Sequence, residues 1–314
     1  MDIFLATFKS VAILMGIGLI GFSILARRTV PLTVLDVLTP LVLEVALPCM
    51  IFYNIITRFD PVKMPDWWQL PLWWMLMIAF FAVLSKIGTF FIDRENKGEV
   101  GISLLYPNAT FFPLGIIPII YGTNSQLLVE LFLFTLLMPI LVFNGYTLFF
   151  RSKVSFKFNL KDSKIFNRVL LATLLAVFLK LTGLSPYVPG PVIEITKIIG
   201  ATALPLIMIA IGGNVYVDFK RRGNFRYFSA LKFVLTKNLL FPAATLLLII
   251  AVKPPASVAT LIMIQSIVPP LSAVPVLTQR AQGNVALTNQ FLISSFMFSI
   301  VTIPLCMWCF SMFY

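Results

Sequence analysis

The stretch from Ile3 to Leu25 is apolar apart from Lys9 and a few small polar residues, and stretches like it recur to the end of the chain. A helix needs about 20 such residues to cross a hydrocarbon layer about 30 Å thick. Within that layer every backbone N–H and C=O must find a partner inside the protein, which leaves only helices and closed barrels. The runs are continuous rather than alternating, and that selects helices over barrel strands. Ten spans are expected, at 3–25, 32–57, 67–92, 100–121, 124–150, 169–185, 192–216, 230–252, 254–278 and 286–313. Composition agrees: 59% of the 314 residues are hydrophobic and 11% charged, against about a quarter charged in soluble domains, so there is too little polar surface to face water. The expected fold class is therefore an all-α polytopic membrane protein. The first run has no basic segment ahead of it, is too long for a leader core and lacks a small-residue cleavage site, so it is read as a span.

A net charge of +12 raises the question of nucleic acid, but the charges are distributed as in membrane proteins. Of the 24 Lys and Arg residues, 16 fall in or beside one set of alternate connections, 3 in the other set and 5 within spans. The positive-inside rule then puts both termini outside, in a multi-pass protein of the cell membrane. Attraction to anionic lipid is a second consequence of the same charges, and no nucleic-acid partner is expected.

The longest polar stretch, Arg151 to Arg168, lies mid-chain with five expected spans on either side. It suggests a basic cytoplasmic linker, 151–168, between halves 1–150 and 169–314, and so a repeat. Ala46-Leu47-Pro48 in span two recurs as Ala203-Leu204-Pro205 in span seven, an offset of 157. Pro107 and Pro113 in span four match Pro269 and Pro275 in span nine at 162, and Pro139 matches Pro304 at 165. An odd number of spans per half obliges the second copy to enter the membrane from the opposite side, the inverted repeat of many secondary transporters.

Span four carries Pro107, Asn108, Thr110, Pro113 and Gly115, and span nine carries Gln265, Pro269, Pro270, Ser272 and Pro275. Proline removes a donor and clashes with the carbonyl four residues back, so neither stretch can stay a regular helix. Pro107, Pro113, Gly115, Pro269, Pro270 and Pro275 are the expected helix-breaking residues. Irregular backbone at membrane depth is tolerated only under protein or in a watery cavity, so the two breaks are expected to meet at a central site. Half-helix N-termini there offer N–H groups and positive dipole ends to an anion. Asn108, Thr110, Pro113, Gln265, Pro269, Pro270 and Ser272 are the candidate substrate-binding residues. Simple proline kinks are the alternative.

On these residues the chain resembles the auxin efflux carrier family, which includes bacterial malate and malonate permeases and the plant PIN-FORMED carriers. The resemblance is carried by Pro107-Asn108-Ala109-Thr110 leading to Tyr121-Gly122, and by Gln265 through Pro269-Pro270 to Gln279-Arg280. Ala46-Leu47-Pro48, Pro205 with Gly212, and Lys237 through Pro242 match more weakly. It implies ten helices in a panel and a crossover domain, with broken fourth and ninth helices crossing at the substrate site, and substrates that are mostly carboxylates. The chain departs from the family in having Pro113 and Gly115 where members tend to have Gly and Pro, and Ala273 where bacterial relatives often have Asn.

Glu44 lies near the middle of span two. A carboxylate there costs about 2.5–3.5 kcal/mol on insertion scales, so it must line a cavity, bind a proton or pair, with Lys237 or Lys197 as candidate partners. It is the candidate coupling residue. Lys237 either attracts an anion or snorkels to the basic side. Glu130, Asp36 and Asp218 lie near span ends, where water reaches them, and carry no expected role.

Other signals carry no function. Gly16-Ile17-Gly18-Leu19-Ile20-Gly21 spells a dinucleotide fingerprint, but no strand precedes it, so small-residue helix packing is expected. The sequon Asn108-Ala109-Thr110 lies too deep to be glycosylated. Cys306 and Cys309, without a second pair or any histidine, read as packing and not as a metal site. No phosphate-binding loop is present, so an ion gradient or the membrane potential is the expected energy source. Zero histidines exclude Ser-His and Cys-His catalysis, and no enzyme activity and no cofactor are expected. The leading expectation is a secondary carrier of small organic anions, with coupling to protons or sodium and a homodimeric state both left open. The alternatives are a sodium-coupled carrier like those of the bile acid family, a ligand-binding membrane sensor and, least supported, a membrane enzyme.

Overall fold

The structure, a computed structural model, describes residues 2–93, 95–122, 124–150, 168–220 and 223–314. Nearly all of the basic linker therefore lies outside the described residues. Every regular element among them is helical, and the one β-type contact is an isolated bridge.

Helix α1 (Asp2–Ala26) is followed by α2 (Val34–Leu41), which runs through a single π turn (Val42–Ala46) into α3 (Leu47–Arg58). Then come α4 (Leu70–Phe91), α5 (Lys97–Leu105), α6 (Phe111–Tyr121), α7 (Leu127–Phe134) and α8 (Met138–Gly145). Beyond the linker lie α9 (Arg168–Leu181), α10 (Gly190–Ala201), α11 (Ala203–Lys220) and α12 (Tyr227–Leu235). A second π turn (Thr236–Leu240) leads into α13 (Phe241–Val252), and α14 (Ala256–Ile267), α15 (Val274–Arg280) and α16 (Val285–Phe310) complete the chain. Seven helical stretches, some with a short turn within them, are long and apolar enough to span a bilayer: 3–26, 34–58, 67–91, 127–150, 190–220, 227–252 and 285–310. Expected spans four and nine are each divided in two, and at expected span six the α-helix is the 14 residues of α9, ending at Leu181.

Burial runs opposite to that of a soluble protein. Leu76, Phe91, Phe178 and Leu247 point outward, whereas Asn108, Asn238, Gln265, Asn289 and Ser295 are buried. Only a surface facing lipid tolerates so many exposed large apolar side chains. Hydroxyls within spans satisfy themselves on the preceding turn, as Thr7 does on the Ile3 carbonyl at 2.7 Å and Thr245 on that of Phe241 at 2.7 Å.

Both π turns have the same local cause. Pro48 and Pro242 lack an N–H and crowd the carbonyl four residues back, so the turn widens and the N–H of Leu47 reaches Val42, and that of Phe241 reaches Thr236. The carbonyls so released find other donors. That of Glu44 accepts from Arg168 Nη1 at 3.4 Å, and that of Asn238 is met by Cys306 Sγ at 3.8 Å.

Helix α1 packs most extensively on α11. A Cβ on Gly212 would overlap the Gly18 carbonyl, and one on Gly21 would overlap that of Ile209, so the two backbones touch directly. The glycine-rich stretch of α1 is therefore a helix-packing surface, as expected, with Gly16 outside it because nothing lies within 4 Å of its Cβ position. Similarly, α10 rests on α3, where a Cβ on Gly200 would lie 2.6 Å from Met50 Cα.

The proline pairs behave unequally. Pro107 and Pro269 do interrupt their spans. Pro113, Gly115 and Pro275, expected as breakers, instead lie within α6 and α15. Pro113 and Pro275 occupy the first turn, where the missing N–H has no intrahelical acceptor anyway, and Gly115 makes room for Leu14 of α1. Pro304 sits inside an unbroken α16, while Pro139 opens α8 after a real interruption.

Candidate functional site

Tyr106 and Val268 each precede a proline, and each is extended, with φ −96°, ψ 105° and φ −75°, ψ 151°. That is the conformation a following proline imposes, and it ends α5 and α14 at those points. Two short, buried extended pieces are thereby left without helical main-chain partners, and they pair with each other. Pro107 and Pro270 form an antiparallel bridge, in which the Asn108 N–H donates to the Pro269 carbonyl at 2.9 Å and the Leu271 N–H to the Tyr106 carbonyl at 2.8 Å. Gln265 Nε2 adds a third bond, to the Ala109 carbonyl at 2.8 Å. The Tyr106 hydroxyl donates to the Leu141 carbonyl at 3.0 Å and anchors the crossing to α8.

Asn108, Gln265, Pro269 and Pro270 are brought together as expected. Thr110 and Ser272 are half-buried near the starts of α6 and α15, and Thr110 makes no capping bond to the α6 N-terminus. Pro113 is buried in the first turn of α6. Asn108 is fully buried, yet neither its Oδ1 nor its Nδ2 has a hydrogen-bond partner among the described residues, and Gln265 Oε1 also lacks one. Buried amide groups are nearly always paired in proteins, which sets these atoms apart.

Two residues absent from the expectations share this condition. Asn289 of α16 is buried with both amide atoms unpartnered, and so is the Ser103 hydroxyl of α5. Glu99 of α5 accepts from the Asn284 N–H at the start of α16 at 2.6 Å, which sets these two helices side by side. The available signal was a polar residue within an apolar span, three residues inside the expected start of span ten.

Glu44 is paired, but with neither of the expected lysines. Arg168 Nε lies 3.1 Å from its Oε2, and the same guanidinium also serves the Glu44 carbonyl. The wide π turn presents both acceptors to one fork-shaped donor. Glu130 differs from expectation in having a buried Oε2 without a partner.

Lys237 does not snorkel. It lies in the π turn near the middle of 227–252, is 1% exposed, and its Nζ has no hydrogen-bond acceptor among the described residues. Its nearest compensation is aromatic: the ammonium lies 5.6 Å from the Phe81 ring centroid and 5.2 Å from that of Phe241. The adjacent Asn238 is fully engaged with Ser295 and Thr302 of α16, which fixes the turn. A buried ammonium without an acceptor loses its hydration with little in return, so an apolar side chain of similar length removes a cost rather than an interaction. A Lys237→Met variant is therefore expected to melt no lower than the wild type in detergent. A clear drop in Tm would mean that the ammonium is held by a partner.

Apolar helices around a buried polar crossing are those of a multi-pass membrane protein. The sequence model of a family described as membrane transport protein matches residues 6–307, nearly the whole chain. The chain belongs to that family, that of the auxin efflux carriers. None of the individually curated proteins compared with it matches.

Proposed function

We propose that this transporter is a secondary carrier of small organic anions such as carboxylates, working by alternating access around the crossed breaks. The observation that carries the reading is the crossing itself, where main-chain bonds join two interrupted spans and the amides of Asn108 and Gln265 keep unpartnered atoms. The uncapped N-terminus of α6 opens there. The N–H groups of Phe111 and Phe112 have no intrahelical acceptor, and the helix dipole favours a negative group beside them. Thr110 and Ser272 add hydroxyls at the rim, and Pro113, Pro269 and Pro270 shape the walls.

In the same reading the chain has ten spans in two inverted repeats, 1–150 and 169–314, joined by a cytoplasmic linker, with both termini outside. The parallel construction of α5–α6 and α14–α15, each a helix ended by a pre-proline residue and resumed beyond it, supports the duplication. Proton coupling would pass through Glu44, whose protonation would release Arg168. Glu44→Gln is then expected to abolish stimulation of uptake by a pH gradient while leaving uptake driven by membrane potential. Unchanged pH dependence would remove Glu44 from the mechanism.

The deciding experiment is uptake of labelled malate, malonate and indole acetate into proteoliposomes under imposed proton, sodium and potential gradients. The reading expects protein-dependent accumulation of at least one of them. A strict need for sodium would favour the bile-acid-like alternative. Tight binding without any movement would replace the carrier with a sensor.

A further inference from the structure

We infer that Asn289 of α16 is a further substrate-binding residue, acting with Asn108 at the crossing and assisted by Ser103 of α5. The inference rests on the carrier reading and adds a third helix to its site. Asn289 and Ser103 are 0% and 1% exposed, and none of their side-chain polar atoms has a hydrogen-bond partner among the described residues. Thr288, Gln290, Ser295, Ser299 and Thr302 of the same helix all make hydrogen bonds, so want of a partner is not a general property of α16. A buried amide without a partner destabilises the fold, and a hydrogen-bonding guest beside Asn108 would remove that cost. The Asn289 Nδ2 would donate to a carboxylate, and its Oδ1 would accept from a hydroxyl.

Two contacts fix how α16 runs beside the broken span. At its start the Asn284 N–H donates to Glu99 of α5 at 2.6 Å. Further along, the Phe296 ring packs edge to face on that of Phe112 in the first turn of α6, with centroids 5.1 Å apart. From these two points, Glu99 to Phe112 and Asn284 to Phe296 run side by side in the same direction. Asn289 stands about 7.5 Å beyond Asn284 along the helix axis and about 10.5 Å short of Phe296. Ser103 stands about 6 Å beyond Glu99 on α5, and Asn108 lies between it and Phe112. All three polar residues therefore fall within the stretch that the two contacts bound.

The rotation of α16 about its own axis is fixed as well. Gln290 is turned to the start of α12, where its Oε1 accepts from the Arg226 N–H and its Nε2 donates to the Asn224 carbonyl, both at 2.9 Å. Phe291 stacks on Phe233 of α12, with centroids 4.3 Å apart. Side chains turn by about 100° per residue, so two positions before Phe291 the helix faces away from α12. Asn289 and Phe296 are seven residues apart and share a face to within about 20°. Asn289 is thus turned toward the broken span, as Phe296 is. On α5, Ser103 lies one turn beyond Glu99, on the face that Glu99 presents to α16.

The test pairs isothermal titration of malate, malonate and indole acetate with thermal unfolding, on purified protein in detergent. Asn289→Leu, close in shape but apolar, is expected to melt at or above the wild type without ligand, and to bind whichever acid the wild type binds at least about tenfold more weakly. Asn289→Ala, should leucine disturb the packing, is expected to weaken binding to the same extent, and Ser103→Ala to a smaller one. Lys253→Gln, at the far end of α13, is expected to change neither reading. A clear drop in Tm in both Asn289 variants would mean that the fold itself holds the amide, and overturns the inference. Weakened binding in Asn108→Ala with wild-type affinity in the Asn289 variants also overturns it, while leaving the carrier reading in place. Failure of the wild type to bind any of the three acids removes that reading, and this inference with it.

Discussion

An Asn108→Ala variant is expected to insert and melt like the wild type and yet to bind its substrate about 10- to 100-fold more weakly. The asymmetry follows from the amide's surroundings. Neither side-chain polar atom of Asn108 has a partner among the described residues, so its removal orphans none of them, and the main-chain bond to Pro269 stays. On the proposed reading, what is lost is a hydrogen bond to an anionic substrate, which is worth about 1.5–3 kcal/mol. Gln265→Ala should differ in kind. Gln265 Nε2 satisfies the Ala109 carbonyl, and leaving that buried acceptor unpaired costs about 1–3 kcal/mol, so this variant should lose both affinity and stability. Isothermal titration, paired with thermal unfolding of each variant, separates the two cases. Wild-type affinity in Asn108→Ala would move the binding site away from the crossing.

Gly212→Ala is expected to be the most damaging single-methyl change in the chain. Its Cβ would fall on the Gly18 carbonyl, a backbone atom that no rotamer change can move aside, so α1 and α11 must separate. Overpacking costs about 1–3 kcal/mol when side chains can yield. With backbone on both sides the upper end applies, and Tm should fall by about 5–10 °C. Gly16→Ala is the internal control. It lies in the same glycine-rich stretch but has nothing within 4 Å, and it should melt at or slightly above wild type because alanine is the better helix former. Equal melting of the two variants would mean that α1 and α11 do not touch as described.

These contrasts mark how far the sequence could be read. The interruptions at Tyr106 and Val268 were legible because a proline acts on the residue before it, whatever the rest of the chain does. Their mutual hydrogen bonding was not, since it joins Asn108 to Pro269 across more than half the chain. Pro113 and Pro275 were misread for the complementary reason: a proline counts as a breaker only once the helix start is known, and both fall just inside one. Gly16, Gly18 and Gly21 look alike on paper, and only the position of α11 separates the contact residues from the bystander. Lys237 has a stem long enough to snorkel, and its burial depends on Phe81 from another helix. The partner of Glu44 came from the edge of the stretch read as a linker, where no periodicity points to a contact.

The crossing is joined by peptide groups, and only the bond from Gln265 involves a side chain. A joint of that kind places few demands on which side chains surround it, beyond the prolines that expose the strand-like pieces. Neighbouring positions such as Asn108, Thr110 and Ser272 are then free to diverge without unmaking the joint. One architecture could in this way be retuned to new cargo by exchanging the residues around a fixed pivot, and its descendants would share the pivot long after their substrates had ceased to resemble one another.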